Sequence, residues 1–181
     1  MIVTDLEIPD LKLIEPQVFE DERGFFYESF NQQKLNDAIG KRIIFIQGNH
    51  SKSKRGVIRG LHYQEEPFAQ EKLVRVVFGE VFDVVLDIRN HSPTYGKWFA
   101  ITLSAKNKKQ LWIPKGFAHG FLTLSNEAEV LYKITKPYNP KYEKTILYND
   151  NDLKIDWPIK ENIIISEKDK VGCQFKKIRE K

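Results

Sequence analysis

The chain has 181 residues, of which 41% are hydrophobic and 30% charged, a balance that predicts a globular protein with one domain over residues 1–181. Its one cysteine, Cys173, excludes an intramolecular disulfide and a multi-cysteine metal site. No apolar run approaches the roughly 18 residues of a membrane span, and Asp5, Glu7 and Asp10 are untypical of a signal peptide. We therefore expect a cytoplasmic protein without a membrane partner.

The net charge is +4, from 29 basic and 25 acidic residues, and part of the excess lies in the C-terminal tail. The cations of this tail are Lys168, Lys170, Lys176, Lys177, Arg179 and Lys181. Such a cluster can bind nucleic acid, but no platform of stacking aromatic and basic residues accompanies it. We interpret the tail as a solvated terminus and expect no nucleic-acid partner.

Two strands are predicted near the N-terminus, at residues 11–19 and 25–30, with a charged turn between them. A helix follows, because Asn31 is a good N-cap, apolar residues recur at helical spacing, and Gly40 is a helix stop. The chain after residue 137 is irregular, and the apolar segment 163–165 predicts that it packs back on the rest of the protein.

From residue 43 onward the sequence predicts a series of short strands separated by turns. These are residues 43–49, 56–64, 72–78, 81–88, 97–104, 110–113, 117–125 and 129–136. Because no helices of βαβ type separate them, they predict an all-β antiparallel sandwich or barrel with a few short helices. A double-sheet jelly roll is the natural closure for this many strands.

A polar segment, Arg59-Gly60-Leu61-His62-Tyr63-Gln64, interrupts one of these strands. Gly60 removes a side chain beside the polar groups, as it would where a ligand approaches the backbone. A lone histidine is more often a hydrogen-bonded core residue than a catalytic one, so His62 alone does not identify a site. Strand alternation also points Arg59 away from the face of His62 unless a β-bulge intervenes.

Further polar residues interrupt predicted strands, and in a barrel they can point into one cavity. They are Gln47, Asn49, Lys72, His119, Tyr132 and Lys133. A metal site is disfavoured because the other histidines are scattered and none lies two residues from His62. Nucleophilic catalysis is disfavoured because no serine lies in a Gly-flanked elbow. A histidine base, a phenol and a lysine suit proton transfer beside a carbonyl.

Seven motifs, in order and spacing, resemble the dTDP-4-dehydrorhamnose 3,5-epimerase family over nearly the whole chain. The motifs are Asp21-Glu22-Arg23-Gly24, Arg59-Gly60-Leu61-His62-Tyr63-Gln64, Lys72-Leu73-Val74-Arg75-Val76, Gly79-Glu80-Val81-Phe82-Asp83-Val84, Ser92-Pro93-Thr94-Tyr95-Gly96, Ile113-Pro114-Lys115-Gly116-Phe117-Ala118-His119-Gly120-Phe121 and Ser166-Glu167-Lys168-Asp169. The resemblance implies a cupin-like jelly roll that acts as a homodimer on a dTDP-4-keto-6-deoxyhexose, with no cofactor and no metal.

The resemblance also implies roles for individual residues. His62 would be the general base, Asp169 the carboxylate that orients it, Tyr132 the acid on the opposite face, and Lys72 the cation beside the enolate oxygen. The positions similar to the family's substrate-binding residues are Arg23, Glu28, Gln47, Asn49, Arg59, His119, Glu143 and Lys168.

The sequence leaves three possible functions open. The first is epimerisation of dTDP-4-dehydro-6-deoxy-D-glucose at C3 and C5 through an enolate, giving dTDP-4-dehydro-L-rhamnose. The second is a single-carbon epimerase or ketoisomerase on a related dTDP-sugar. The third is a non-catalytic sugar-nucleotide-binding barrel, which needs the cations and aromatics but no pair of base and acid.

Overall fold

The structure is a computed structural model that describes residues 1–179, without the side chain of Arg179. Its strands are β1 (Ile2–Asp5), β2 (Lys12–Glu15), β3 (Val18–Asp21), β4 (Gly24–Tyr27), β5 (Gln47–Lys54), β6 (Ile58–Gln64), β7 (Lys72–Phe78), β8 (Glu80–Asp87), β9 (Trp98–Ser104), β10 (Gln110–Ile113), β11 (Phe117–Thr123), β12 (Glu127–Ile134) and β13 (Glu143–Thr145). The helices are α1 (Gln32–Ile39), α2 (Glu167–Lys170) and α3 (Lys176–Arg179). Lys181, part of the predicted basic tail, lies outside the described residues.

Two antiparallel sheets form the body of the fold. The six-stranded sheet has the order β1-β2-β10-β7-β12-β5, and the five-stranded sheet has the order β13-β6-β11-β8-β9. Between them lies an apolar core in which Val76 and Val130 of the first sheet meet Val85 and Phe121 of the second. This double-sheet arrangement confirms the predicted all-β jelly roll. Strands β3 and β4 form a separate two-stranded hairpin.

Two further cores cover the outer faces of these sheets. On the five-stranded sheet, Ile58 and Leu61 pack with Trp157 and Phe175 of the C-terminal region, which therefore folds back as predicted. On the six-stranded sheet, Trp112 packs with residues that include Leu35 of α1. The predicted caps of α1 are confirmed: the Asn31 side chain accepts from the backbone N of Lys34 at 3.0 Å, and Gly40 ends the helix at φ 76°.

Strand β5 differs most from its predicted position. The sequence predicts a strand at 43–49, but the ladder runs over Gln47–Lys54, and Ile43 is buried in the core beside α1. Residues 50–54 contain no strongly apolar side chain, so alternation alone gives no signal there. The short strands β1 and β13 were also not predicted.

A β-bulge joins β6 to β11. His62 pairs with His119 and Arg59 pairs with Phe121, so Gly60 and Leu61 both lie opposite Gly120. Gly60 has φ 117°, and a Cβ there would lie 2.6 Å from both the Gly120 Cα and the carbonyl oxygen of His119. The expectation that Gly60 makes room for a ligand is therefore wrong, because it makes room for the neighbouring strand.

Replacing Gly120 by alanine tests this close approach, since its Cβ would lie 2.6 Å from the carbonyl oxygen of Arg59 and 2.9 Å from Leu61 Cδ2. We expect Gly120→Ala to lower the free energy of unfolding by about 2 kcal/mol in urea denaturation, because overpacking forces the strands apart. Gly48→Ala is the control, since a Cβ there meets nothing within 4 Å. Equal stability of the two variants would contradict the steric argument.

Candidate active site

The bulge decides which side chains of β6 face the space between the sheets. Ile58 and Leu61 both lie in the outer core, so the one extra residue returns Arg59 and His62 to the inner face. The Arg59 guanidinium reaches across to the opposite sheet, where its Nε donates to Ser53 Oγ of β5 at 2.9 Å. The parity conflict in the sequence is thereby resolved in favour of a shared face.

His62 is paired with Asp169, which comes from α2 near the C-terminus. His62 Nε2 and Asp169 Oδ1 lie 2.6 Å apart, and the backbone N of Gly60 donates to Asp169 Oδ2 at 3.4 Å. Ser166 caps α2 and accepts a hydrogen bond from the backbone N of Asp169. Burial raises the pKa of Asp169, but the hydrogen bond from His62 and its charge outweigh burial, and the net pKa lies below the ordinary value. Asp169 is thus an ionised hydrogen-bond partner of the imidazole.

Lys72 and Tyr132 face His62 from the other sheet, on β7 and β12. Lys72 is only 8% exposed, and its Nζ donates to the carbonyl oxygen of His62 at 3.4 Å. Burial lowers the pKa of Lys72 to about 8, against the attraction of Asp83 and Glu143. Burial raises the pKa of Tyr132, although Arg59 opposes the shift, so the phenol keeps its proton at neutral pH.

These groups line a cavity of about 240 Å³ between the sheets. The predicted site residues that line it are Gln47, Asn49, His62, Lys72, Tyr132 and Glu143. At its rim, Glu143 Oε1 accepts from Lys168 Nζ at 2.7 Å, which brings a seventh predicted residue to the same place. With Asp169 behind His62 and Arg59 beside Tyr132, most of the predicted set converges.

His119 and Asp83 form a second buried pair in the five-stranded sheet. His119 Nε2 lies 3.0 and 2.9 Å from the two carboxylate oxygens of Asp83, and His119 stands directly opposite His62 in the ladder. The sequence predicts His119 as a site residue but not Asp83. The signal was present, because an aspartate between Phe82 and Val84 interrupts an otherwise apolar strand.

Arg23 and Glu28 lie elsewhere, and neither lines the cavity. Arg23 sits at the tip of the β3–β4 hairpin with its side chain 86% exposed, and it pairs with Asp21. Glu28 binds the side chains of Asn31 and Lys34 at the start of α1. Within one copy of the chain, these two predicted residues are not brought to the site.

Neither a metal cluster nor a membrane-spanning helix is found in the described part of the chain. No three of its His, Cys, Asp or Glu side chains are grouped so that they could hold an ion. Its longest helix, α1, has 8 residues, too few to cross a bilayer. The expected independence of metal and cofactor stays a prediction.

The sequence is similar to those of known proteins over nearly its whole length. A family model described as dTDP-4-dehydrorhamnose 3,5-epimerase matches residues 5–177. The chain belongs to this epimerase family. The dTDP-4-dehydrorhamnose 3,5-epimerase of Shigella flexneri is 57% identical over 175 residues, 97% of this chain and 96% of that protein.

Two solved structures place this epimerase family member among its relatives. The 3,5-epimerase of Legionella pneumophila in complex with dTDP-4-keto-L-rhamnose is 48% identical, with a TM-score of 0.93 over 97% of this chain and 93% of that one. A 3'-monoepimerase of Streptomyces bikiniensis in complex with dTDP-quinovose is 31% identical, with a TM-score of 0.90 over 95% of this chain and 87% of that one. The fold is therefore shared by double and single epimerases.

The ionisation of Lys72 in this epimerase family member can be measured directly. We expect the ¹³Cε resonance of Lys72 to titrate with a pKa of about 8, because the buried ammonium loses its hydration. Lys72→Gln, which lacks the resonance, assigns it in the NMR spectrum. A Lys72 resonance that titrates at the ordinary lysine pKa of about 10.4 would show that the amine is hydrated.

Proposed function

We propose that the chain is a cofactor-independent and metal-independent epimerase that converts dTDP-4-dehydro-6-deoxy-D-glucose to dTDP-4-dehydro-L-rhamnose in dTDP-L-rhamnose biosynthesis. The observation that carries the proposal is the placement of the His62–Asp169 pair on one sheet and of Lys72 and Tyr132 on the other, around one cavity. A carboxylate-oriented base, a cation and a protonated phenol are the groups that epimerisation beside a ketone requires.

His62 acts as the base through the ring nitrogen that Asp169 leaves free. Because Asp169 is ionised and accepts the proton of Nε2, the neutral ring keeps its lone pair on Nδ1. Nδ1 removes the proton from the carbon beside the C4 carbonyl, and the electron pair of the broken C–H bond moves into the enolate. Asp169 then stabilises the imidazolium that results.

Lys72 balances the charge of the enolate oxygen. In the described part of the chain no carboxylate lies within ion-pair distance of Lys72, because the two whose charge reaches it, Asp83 and Glu143, are bound to His119 and Lys168. A buried ammonium without a carboxylate partner retains its full attraction for a developing anion. With a pKa of about 8, Lys72 is mostly charged at neutral pH, and we expect the rate to fall as the pH rises through 8.

Tyr132 returns a proton on the face opposite to His62, which inverts the carbon. The two residues belong to β12 and β6, on facing sheets, so a sugar ring between them meets a base on one side and an acid on the other. C3 and C5 both flank the C4 carbonyl, so one base and one acid serve both centres in succession. After each inversion the His62 imidazolium loses its proton to solvent and the Tyr132 phenolate takes one from solvent, so the pair is reset before the second carbon reacts.

Arg59 and the rim residues bind the remainder of the substrate in this proposal. The Arg59 guanidinium crosses from one sheet to the other and suits the diphosphate, since a planar guanidinium bonds two oxygens at once. Gln47, Asn49, His119, Glu143 and Lys168 surround the sugar. The chain works as one domain, and a cytoplasmic location suits its nucleotide-sugar substrate.

Epimerisation at both carbons is favoured over epimerisation at one, because the chain is more similar in sequence to a 3,5-epimerase than to a monoepimerase. The Shigella relative, named as a 3,5-epimerase, is 57% identical, whereas the 3'-monoepimerase is 31% identical. A non-catalytic binding barrel does not need a cavity-lining histidine with an ionised carboxylate 2.6 Å behind it and a protonated phenol on the facing sheet.

Deuterium incorporation tests the reaction. In deuterated water the product should carry deuterium at both C3 and C5 by NMR. We expect His62→Ala to lower exchange by about 10³-fold, because the base is lost. Tyr132→Phe should keep exchange but lower inversion, because only the acid is lost.

The controls separate the alternatives. His91→Ala, at an exposed turn, should leave both exchange and inversion unchanged, as should exhaustive chelation of metal. Label at a single carbon would identify a single-carbon epimerase, and no label from the wild-type protein would favour the binding barrel.

We further propose that the protein is a homodimer in which the β3–β4 hairpin of one copy packs against the other. The hairpin pairs with neither large sheet, and Phe19, Phe25 and Phe26 on it are 55%, 61% and 72% exposed. Exposed aromatic side chains grouped on one hairpin are typical of a contact surface. Arg23, at the tip of the hairpin, then reaches the partner's cavity, and Glu28 lies beside that interface.

Mixing two impaired variants tests this arrangement. Arg23→Ala and His62→Ala each damage the site, but a mixed dimer has one site with both changes and one with neither. Random mixing after refolding should therefore recover about a quarter of the wild-type activity. Without recovery, Arg23 acts within its own chain. Phe25→Ser with Phe26→Ser should give a monomer by light scattering, whereas Phe78→Ser, on β7 and 56% exposed, should not.

A further inference from the structure

Gln64, the last residue of β6, has a buried side chain for which the proposed chemistry has no use; it is 7% exposed. Its amide makes three hydrogen bonds, all to backbone atoms. Nε2 donates to the carbonyl oxygens of Phe68 at 2.7 Å and Pro137 at 3.1 Å, and Oε1 accepts from the backbone N of Asn139 at 2.7 Å. Exchanging oxygen and nitrogen would oppose like groups at every contact, so the amide has one orientation.

These hydrogen bonds join the two loops that leave the same end of the barrel. Residues 65–71 connect β6 to β7, and residues 135–142 connect β12 to β13. The loops also meet where the rings of Phe68 and Tyr142 lie 4.7 Å apart between centroids. Gln64 therefore lies at the base of a pair of loops that contact each other.

Tyr138 lies between two of the residues to which Gln64 is hydrogen-bonded. Two of the three bonds of Gln64 go to Pro137 and Asn139, the neighbours of Tyr138 on either side. The backbone N of Tyr138 donates to Gln47 Oε1 at 3.2 Å, and its hydroxyl donates to Glu143 at 2.8 Å. The ring lines the cavity and is half exposed.

We propose that Gln64 is a positioning residue that fixes Tyr138 at the mouth of the cavity and so sets how tightly the substrate is held. The inference rests on the proposed epimerase activity. Without the amide, the loop of residues 135–142 has to be ordered by the substrate, and that ordering reduces affinity. The His62–Asp169 pair is held by other bonds, from α2 and the backbone of Gly60, so proton transfer in the bound complex is retained.

Steady-state kinetics of Gln64→Met test the proposal, since methionine fills a similar volume without the three hydrogen bonds. We expect KM for the nucleotide sugar, and Kd for dTDP by calorimetry, to rise about tenfold while kcat changes less than about threefold. Gln64→Asn, which keeps the amide but shortens the side chain, is the milder variant and should give an intermediate KM. A fall in kcat with unchanged KM in either variant would overturn the proposal.

Asn107→Leu is a matched control, because it also removes a side-chain amide that is hydrogen-bonded to backbone groups. The Asn107 side chain also makes three backbone hydrogen bonds, with Ser104, Lys109 and Thr102, but in the turn between β9 and β10. It should lower Tm and leave KM unchanged. If Gln64→Met behaves in the same way, the role of Gln64 is structural only and the proposal fails.

A double-mutant cycle identifies the residue through which Gln64 acts. In a Tyr138→Ala background, Gln64→Met should raise KM less than twofold, because the ring it positions is already absent. A full tenfold rise there would mean that Gln64 contacts the substrate itself, and would overturn the proposal. The wild-type protein distinguishes the two proposals. If it does not epimerise the substrate, the proposed function fails. If it is active and Gln64→Met leaves KM unchanged, only the positioning role of Gln64 is refuted.

Discussion

The close approach of β6 and β11 at Gly60 and Gly120 sets which side chains of β6 point into the cavity. It leaves no space for a Cβ on either strand and accommodates one extra residue in β6. That residue reverses the alternation of the strand, so Arg59 and His62 share the inner face while Ile58 and Leu61 remain in the outer core. These two glycines therefore determine both which residues of β6 pack in the outer core and which line the cavity.

Several charged groups in and around the cavity are buried, which alone would disfavour their charged forms. Asp169 and Asp83 are each compensated by a histidine from the five-stranded sheet. Within the described residues 1–179, Lys72 of the facing sheet has no carboxylate within ion-pair distance and donates to a backbone carbonyl oxygen at 3.4 Å, and its lowered pKa reflects the cost of burying the ammonium. In the proposed reaction the enolate oxygen of the substrate places a negative charge beside the Lys72 ammonium.

The sequence predicts those features that depend on local pattern and chemistry. Strands β7 and β10 have their predicted bounds, and the predicted site residues His62, Lys72 and Tyr132 line one cavity. Features that depend on contacts between distant segments were not predictable. The bulge requires knowledge that β6 lies beside β11, and the Asp83–His119 pair joins residues 36 positions apart. The position of Arg23 at the exposed tip of the β3–β4 hairpin, away from the cavity, was not predictable either, because its motif does not show where the hairpin lies.

Strand β5, which alternation failed to indicate, occupies the free edge of the six-stranded sheet within residues 1–179. The polar residues that make β5 hard to predict also disfavour its pairing with other chains. Lys52 and Lys54 project from this edge, whose unpaired backbone groups could otherwise bind an extended chain. A newly made or transiently opened chain therefore exposes an edge that resists stacking into cross-β aggregates. A more easily recognised, apolar strand at this position would have made the protein more prone to form fibrils.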